Sequence, residues 1–152
     1  MKRSKRKRER TAEYTAPLVF VALFYLVLAA WTVASIYLLG SRYLKSGWPL
    51  GQLLMIGFVL AYTWYFSMGI AYRIRMDGMG EINLISFRRV IRVRAAEIGT
   101  VEGPRFGIPL GFVRFRLERE KGYLFSVVTD GNLQKVLLAI RRENPGVKFK
   151  YL

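Results

Sequence analysis

Cysteine and histidine are both absent from the 152 residues, and each absence removes chemistry. Without cysteine there is no thiol nucleophile and no disulfide. Without histidine the commonest general base is missing, and with both gone so are zinc sites of the Cys/His kind. Acidic residues are scarce as well, 10 Asp and Glu against 25 Lys and Arg, and none of them falls in a metal-loop spacing. The glycine strings 103–107 and 107–111 lack the Lys-Ser/Thr of a phosphate-binding loop and read as plain loop. Glu118 and Glu120, flanked by Arg119 and Lys121, read as solvated strand residues rather than an acid–base pair. The expectation is a non-enzymatic chain with no cofactor and no metal.

Charge is also missing from two long stretches. Residues 17–39 and 50–72 contain no Asp, Glu, Lys, Arg or His and are strongly apolar throughout. As helices each would be about 35 Å long, enough to cross a hydrocarbon core of about 30 Å. Residues 40–49 alone separate them, which predicts a transmembrane helical hairpin. A cleaved signal peptide over residues 1–34 is the rival reading, but its apolar run outlasts an ordinary h-region and a second span follows. Buried helices of a soluble core suit shorter runs. Intramembrane ionisable groups mark ion and proton pathways, so their absence argues against a channel or transporter. Gly57 and Ala61 form a small-xxx-small spacing suited to helix packing, with the first span the natural partner. Tyr43, Trp48 and Tyr72 sit where interfacial aromatic belts are expected.

The charge that is present is asymmetric. Lys2, Arg3, Lys5, Arg6, Lys7, Arg8 and Arg10 precede the first run, only Arg42 and Lys45 lie between the runs, and Arg73 and Arg75 follow at once. The positive-inside bias therefore places both termini in the cytoplasm and the protein, multi-pass, in the cytoplasmic (inner) membrane. The N-terminal cluster is either an orientation signal alone or also a holder of anionic headgroups. A basic segment 1–16, a hairpin 17–72 and a cytoplasmic domain 73–152 make up the predicted organisation, the last being long enough for one small domain.

Within 73–152 the apolar period drops to two, the mark of strands. Strands are predicted over 73–77, 81–87, 90–94, 98–101, 112–120 and 123–129, with 147–152 as a short extra strand. Residues 77–80 and Lys121-Gly122 are read as hairpin turns, and 103–111 as a loop rich in Gly and Pro. Leu133, Val136, Leu137 and Ile140 then recur at helical spacing, so residues 132–143 form an amphipathic helix capped by Asp130 or Asn132 and stopped by Asn144-Pro145-Gly146. The fold class is a membrane helical hairpin plus an α+β domain of five to seven antiparallel strands.

This layout resembles bacterial pleckstrin-homology-like (PH-like) membrane proteins. The resemblance rests on the entry strand Tyr72-Arg73-Ile74-Arg75-Met76-Asp77-Gly78, on Val90-Ile91-Arg92-Val93-Arg94 before Glu97-Ile98-Gly99-Thr100-Val101, and on helix 132–143 running into Asn144-Pro145. It implies a bent antiparallel sheet or barrel closed by the C-terminal helix, and a non-catalytic scaffold or recognition domain held at the membrane. No specific binding motif is matched, so no family site residue is transferred.

Arginine on alternate strand positions is the residue-level handle: Arg73 with Arg75, Arg92 with Arg94, Arg114 with Arg116. Alternation puts each pair on one sheet face. The pairs either coat a solvated face or form an anion-binding patch for lipid headgroups or a partner. Phe106, Ile108 and Leu110 make the 103–111 loop apolar at its tip, which calls for a protein groove or a bilayer interface to cover it. No recognition helix or aromatic RNA-binding strand accompanies the arginines, so a nucleic-acid partner is not expected. Two functions follow. One is an accessory, assembly or scaffold subunit contacting other membrane-protein subunits or a second copy of itself. The other is a module that reads anionic lipid.

Overall fold

The computed structural model describes residues 11–43, 47, 50–105 and 107–152; the basic cluster 2–10, Trp48 and Phe106 lie outside them. Two long apolar helices, α1 (Leu18–Tyr43) and α2 (Leu50–Ser67), stand on a mixed sheet of eight strands. Both are long and apolar enough to cross a membrane, and their large side chains, such as Leu26, Ile36, Leu54 and Phe58, are exposed rather than packed in a core. The apolar run 50–72 is not one helix. It ends at Ser67, and strand β2 (Ala71–Met76) begins after a short turn. Ile70 and Ala71 are buried in the sheet domain, so a lipid-suited helix and a core strand read as one hydropathic stretch.

A strand that the sequence pattern did not reveal precedes α1. Strand β1 (Ala12–Thr15) pairs antiparallel with β2, Tyr14 opposite Ile74. The domain boundary at residue 73 is corrected accordingly: the sheet draws strands from both sides of the helix pair. Four residues are too few to carry a period, and only pairing with β2 makes them a strand.

Strands β3 (Glu81–Ser86) and β4 (Val90–Arg94) continue from β2 as an antiparallel meander. A single 3-10 turn, Ala95–Glu97, leads to β5 (Ile98–Glu102), and β5, β6 (Leu110–Leu117) and β7 (Lys121–Val127) form a second meander. The two meet where Ala71 pairs in parallel with Leu124, and β8 (Lys148–Lys150) adds in parallel to β5. The strand order is β4-β3-β2-β7-β6-β5-β8 with β1 beside β2, so the sheet is mixed rather than wholly antiparallel. It is also open, with β4 and β8 as edges, rather than a closed barrel.

The turn joining β6 to β7 is Glu118–Glu120, not Lys121-Gly122. Gly122 lies inside β7 opposite Phe115, where a Cβ would come within 2.9 Å of Leu84 Cδ1 from the other meander. Its role is close packing at the corner of the sheet.

Helix α3 (Gly131–Glu143) covers the inner face, its start capped by Asp130 accepting from Asn132 N. Leu133, Val136, Leu137 and Ile140 are all buried, facing a core that includes Ile74, Ile82, Leu84, Val113, Phe115 and Leu124. At its far end Asn144 Nδ2 donates to the carbonyls of Ala95 and Ile98, pinning the helix to the link between the meanders.

Candidate functional site

The three arginine pairs all point to the outer face, but they do not make one patch. Arg73 and Arg75 stand on β2 across from β1, and Glu13 lies 3.4 Å from Arg73 Nε and 3.1 Å from Arg75 Nη2. Arg73 Nε also donates to Thr15 Oγ1. This pair is matched by a carboxylate from the strand that the sequence did not disclose. Arg92 and Arg94 occupy edge strand β4 opposite Asn83 and Glu81, in a shallow depression shared with Glu97. They form no ion pair among the described residues.

Arg114 and Arg116 belong to the second meander, and there the register assembles something larger. One cross-strand row runs Lys121–Arg116–Thr100–Lys148, the next Tyr123–Arg114–Glu102–Lys150. Five cations thus share a single face with one carboxylate. Glu102 is ion-paired with Arg114 and lies 3.2 Å from Arg116. Burial alone would raise its pKa; the hydrogen bond from Arg114 and the charges of Arg114, Arg116 and Lys150 outweigh it and hold the carboxyl below its ordinary value. Arg114 is shifted up, chiefly by its hydrogen bond to Glu102. Glu102 is therefore an anion at neutral pH and a structural centre for the cations around it. The sequence reading found Arg114 and Arg116 and missed Lys121, Lys148 and Lys150. The alternation Lys148-Phe149-Lys150 was visible, but which strand it would join was not.

The same face carries the helices. Phe112 and Phe125 pair across β6 and β7 on the outer side, and Phe125 is nevertheless 0% exposed because α1 covers it. Phe20 and Phe24 meet Phe125 edge-on at 5.6 and 5.1 Å, and Phe24 meets Phe112 at 5.7 Å. Phe66 of α2 contacts Tyr123, and Tyr25 of α1 contacts Phe87. Such pairs each add about 0.5–1.5 kcal/mol beyond area burial, so the helix pair is fixed to the sheet and not merely tethered. Arg88 lies over the Tyr65 ring at 3.9 Å from its centroid.

The helices meet each other through large side chains. Trp64 Nε1 donates to Thr32 Oγ1, Tyr25 stacks on Trp64, and the Tyr25 hydroxyl donates to the carbonyl of Ser67. Gly57 has no atom near its missing Cβ, and Ala61 is exposed. That stripe therefore does not pack on α1, contrary to expectation, because the bulky Tyr25–Trp64–Thr32 contact sets the face that α2 turns inward. Ile108 and Leu110 are exposed, as anticipated for the loop tip, and Leu110 shares the outer face with Phe112 two residues on. No protein-family model, curated protein or solved structure matches this chain.

Proposed function

We propose that the protein is a non-enzymatic, membrane-anchored scaffold or accessory subunit of PH-like build. Its two helices cross the cytoplasmic membrane as a hairpin with both termini in the cytoplasm, and they hold the sheet domain against the inner surface. The observation that carries this reading is the β1–β2 pairing, which ties the two ends of the helix pair into one sheet and so requires them to emerge on the same side. Lengths agree with a crossing. The Tyr25–Ser67 hydrogen bond marks one level on both helices, and from it α1 to Tyr43 extends about 27 Å and α2 to Leu50 about 26 Å, close to a hydrocarbon core of about 30 Å. Two three-stranded meanders meeting at a corner under one C-terminal helix support the PH-like reading.

Topology is tested in this cysteine-free chain by single cysteines at Ser4, Ser46 and Thr129, probed with a membrane-impermeant reagent on intact cells. Thr129 serves because it is exposed, whereas the neighbouring Ser126 is fully buried. Only the Ser46 site should react. Labelling at Thr129 in intact cells would reverse the orientation, and labelling at all three would remove the hairpin.

A scaffold needs a surface for another membrane protein, and the open Gly57–Ala61 stripe on α2 is suited to a close-approaching helix. Purified in mild detergent, the chain should run as a stoichiometric complex or a defined oligomer. Gly57→Leu combined with Ala61→Leu should disperse it without lowering the melting temperature. A chain that is monomeric from the outset, or an assembly indifferent to both substitutions, refutes this use of the stripe. The second reading, recognition of anionic lipid, is favoured by one feature: the cation rows around Glu102.

A further inference from the structure

We infer that the outer face of β7-β6-β5-β8 lies flat beneath the membrane and that its cations contact anionic lipid headgroups of the leaflet from which the hairpin emerges. This deepens the hairpin reading and rests on it. The direction of the face follows from what is already seated on it. Tyr123, Phe125 and Phe112 are outer-face residues of β7 and β6, and the lower ends of α1 and α2 contact all three, burying Phe125 completely. The helices thus rise from this face, and the face looks the way the helices go. Lys121, Arg114, Arg116, Lys148 and Lys150 are on that same face, because a pleated strand sends alternate residues to one side and the register aligns them in rows. Strands stand about 4.8 Å apart, so β8 lies about 14 Å to the side of β7, within the shadow of the bilayer.

Depth agrees with direction. With the Tyr25–Ser67 level taken as the hydrocarbon boundary, as in the hairpin reading, Phe66 one residue to its membrane side touches Tyr123 of the second cation row. The rows therefore begin in the interfacial layer, which is several Å thick on each side of the hydrocarbon. Leu18 and Leu23 on the lower turns of α1, and Leu110 beside Phe112 on the outer face, are exposed near the base of the helix pair. An apolar rim inside a cationic surface is the composition that interfacial binding favours. Around Arg73 and Arg75 one carboxylate, Glu13, meets two cations, whereas Arg114 and Arg116 share Glu102 on a face that also carries Lys121, Lys148 and Lys150, so the larger cationic excess lies on the second meander.

The test uses the full chain reconstituted in vesicles, with one fluorophore at a time on Phe58→Cys, Thr100→Cys or Lys135→Cys. Thr100 lies between Arg116 and Lys148 in the first cation row, and Lys135 is on the exposed side of α3, across the sheet. Quenchers on lipid acyl chains should reach the Phe58 site, quenchers on headgroups the Thr100 site, and neither the Lys135 site. In mixed phosphatidylcholine and phosphatidylglycerol vesicles, the lipid shell should prefer spin-labelled phosphatidylglycerol. Lys148→Gln with Lys150→Gln should cut that preference by up to about fivefold per charge at low salt. If the Phe58 site is quenched while Thr100 is as silent as Lys135, the hairpin reading stands and this inference falls, leaving the face to an acidic protein. An unchanged lipid preference in the double variant also overturns it. A Phe58 site that no acyl-chain quencher reaches removes the hairpin itself.

Discussion

Tyr14→Ala will destabilise the protein by about 3–5 kcal/mol, the range for removing a fully buried aromatic side chain. Tyr14 is 1% exposed, packs against the inner face from β1, and its hydroxyl oxygen accepts from Val127 N on β7 at 3.0 Å. One residue thus closes the strand before the hairpin onto the second meander after it. Burial raises the pKa of the phenol, more than the Val127 hydrogen bond lowers it, so the group is neutral throughout the physiological range. Tyr14→Phe separates the two contributions. It keeps the ring, leaves Val127 N–H without its acceptor, and should cost about 1–3 kcal/mol. Thermal unfolding of the full chain in detergent reads both. Because β1 is part of the sheet, a fragment starting at residue 73 is expected to be unstable. If Tyr14→Ala melts with the parent, β1 is not held in the sheet, and the argument that both hairpin ends emerge together is lost.

Leu137→Ala should cost about 2–5 kcal/mol, a large share of the 5–15 kcal/mol by which small domains are stable. Leu137 is 4% exposed in the apolar stripe of α3, next to Val136 and between Leu133 and Ile140, which are each 0% exposed. Leu138, one position on, is 54% exposed, and Leu138→Ala should change the melting temperature little. The contrast between neighbours is the informative measurement. Equal effects at 137 and 138, or none at either, would mean that the helix does not dock by this stripe.

Much of this molecule was legible as pattern. The period-3.6 stripe placed α3, with a cap at Asp130 or Asn132 and a stop at Asn144-Pro145, within one residue of where the structure has it, and of the two caps the structure uses Asp130. Period-two alternation placed six strands after the hairpin, and the short C-terminal strand followed from Lys148-Phe149-Lys150. These elements are decided by which side chains leave water, and one turn or one pleat is enough to express that choice.

Other features depended on partners distant in sequence. Hydropathy could not end α2 at Ser67, since lipid and protein core select the same side chains and the run continued through Ile70 and Ala71. Gly122 reads as a turn residue until Leu84 arrives from the other meander and leaves no room for a Cβ. Gly57 and Ala61 read as a seam with α1 until Tyr25, Thr32 and Trp64 fix which side of α2 faces inward. The arginine pairs illustrate the divide most clearly. Alternation alone put Arg73/Arg75 and Arg114/Arg116 on outer faces. Strand pairing alone gave the first pair Glu13 from before the hairpin, and put Lys121, Lys148, Lys150 and Glu102 on the same face as the second. Facing is a local property of the pleat, set two residues at a time. Charge density on a face is a sum over neighbouring strands, and strand order is fixed only when the whole sheet closes over its core.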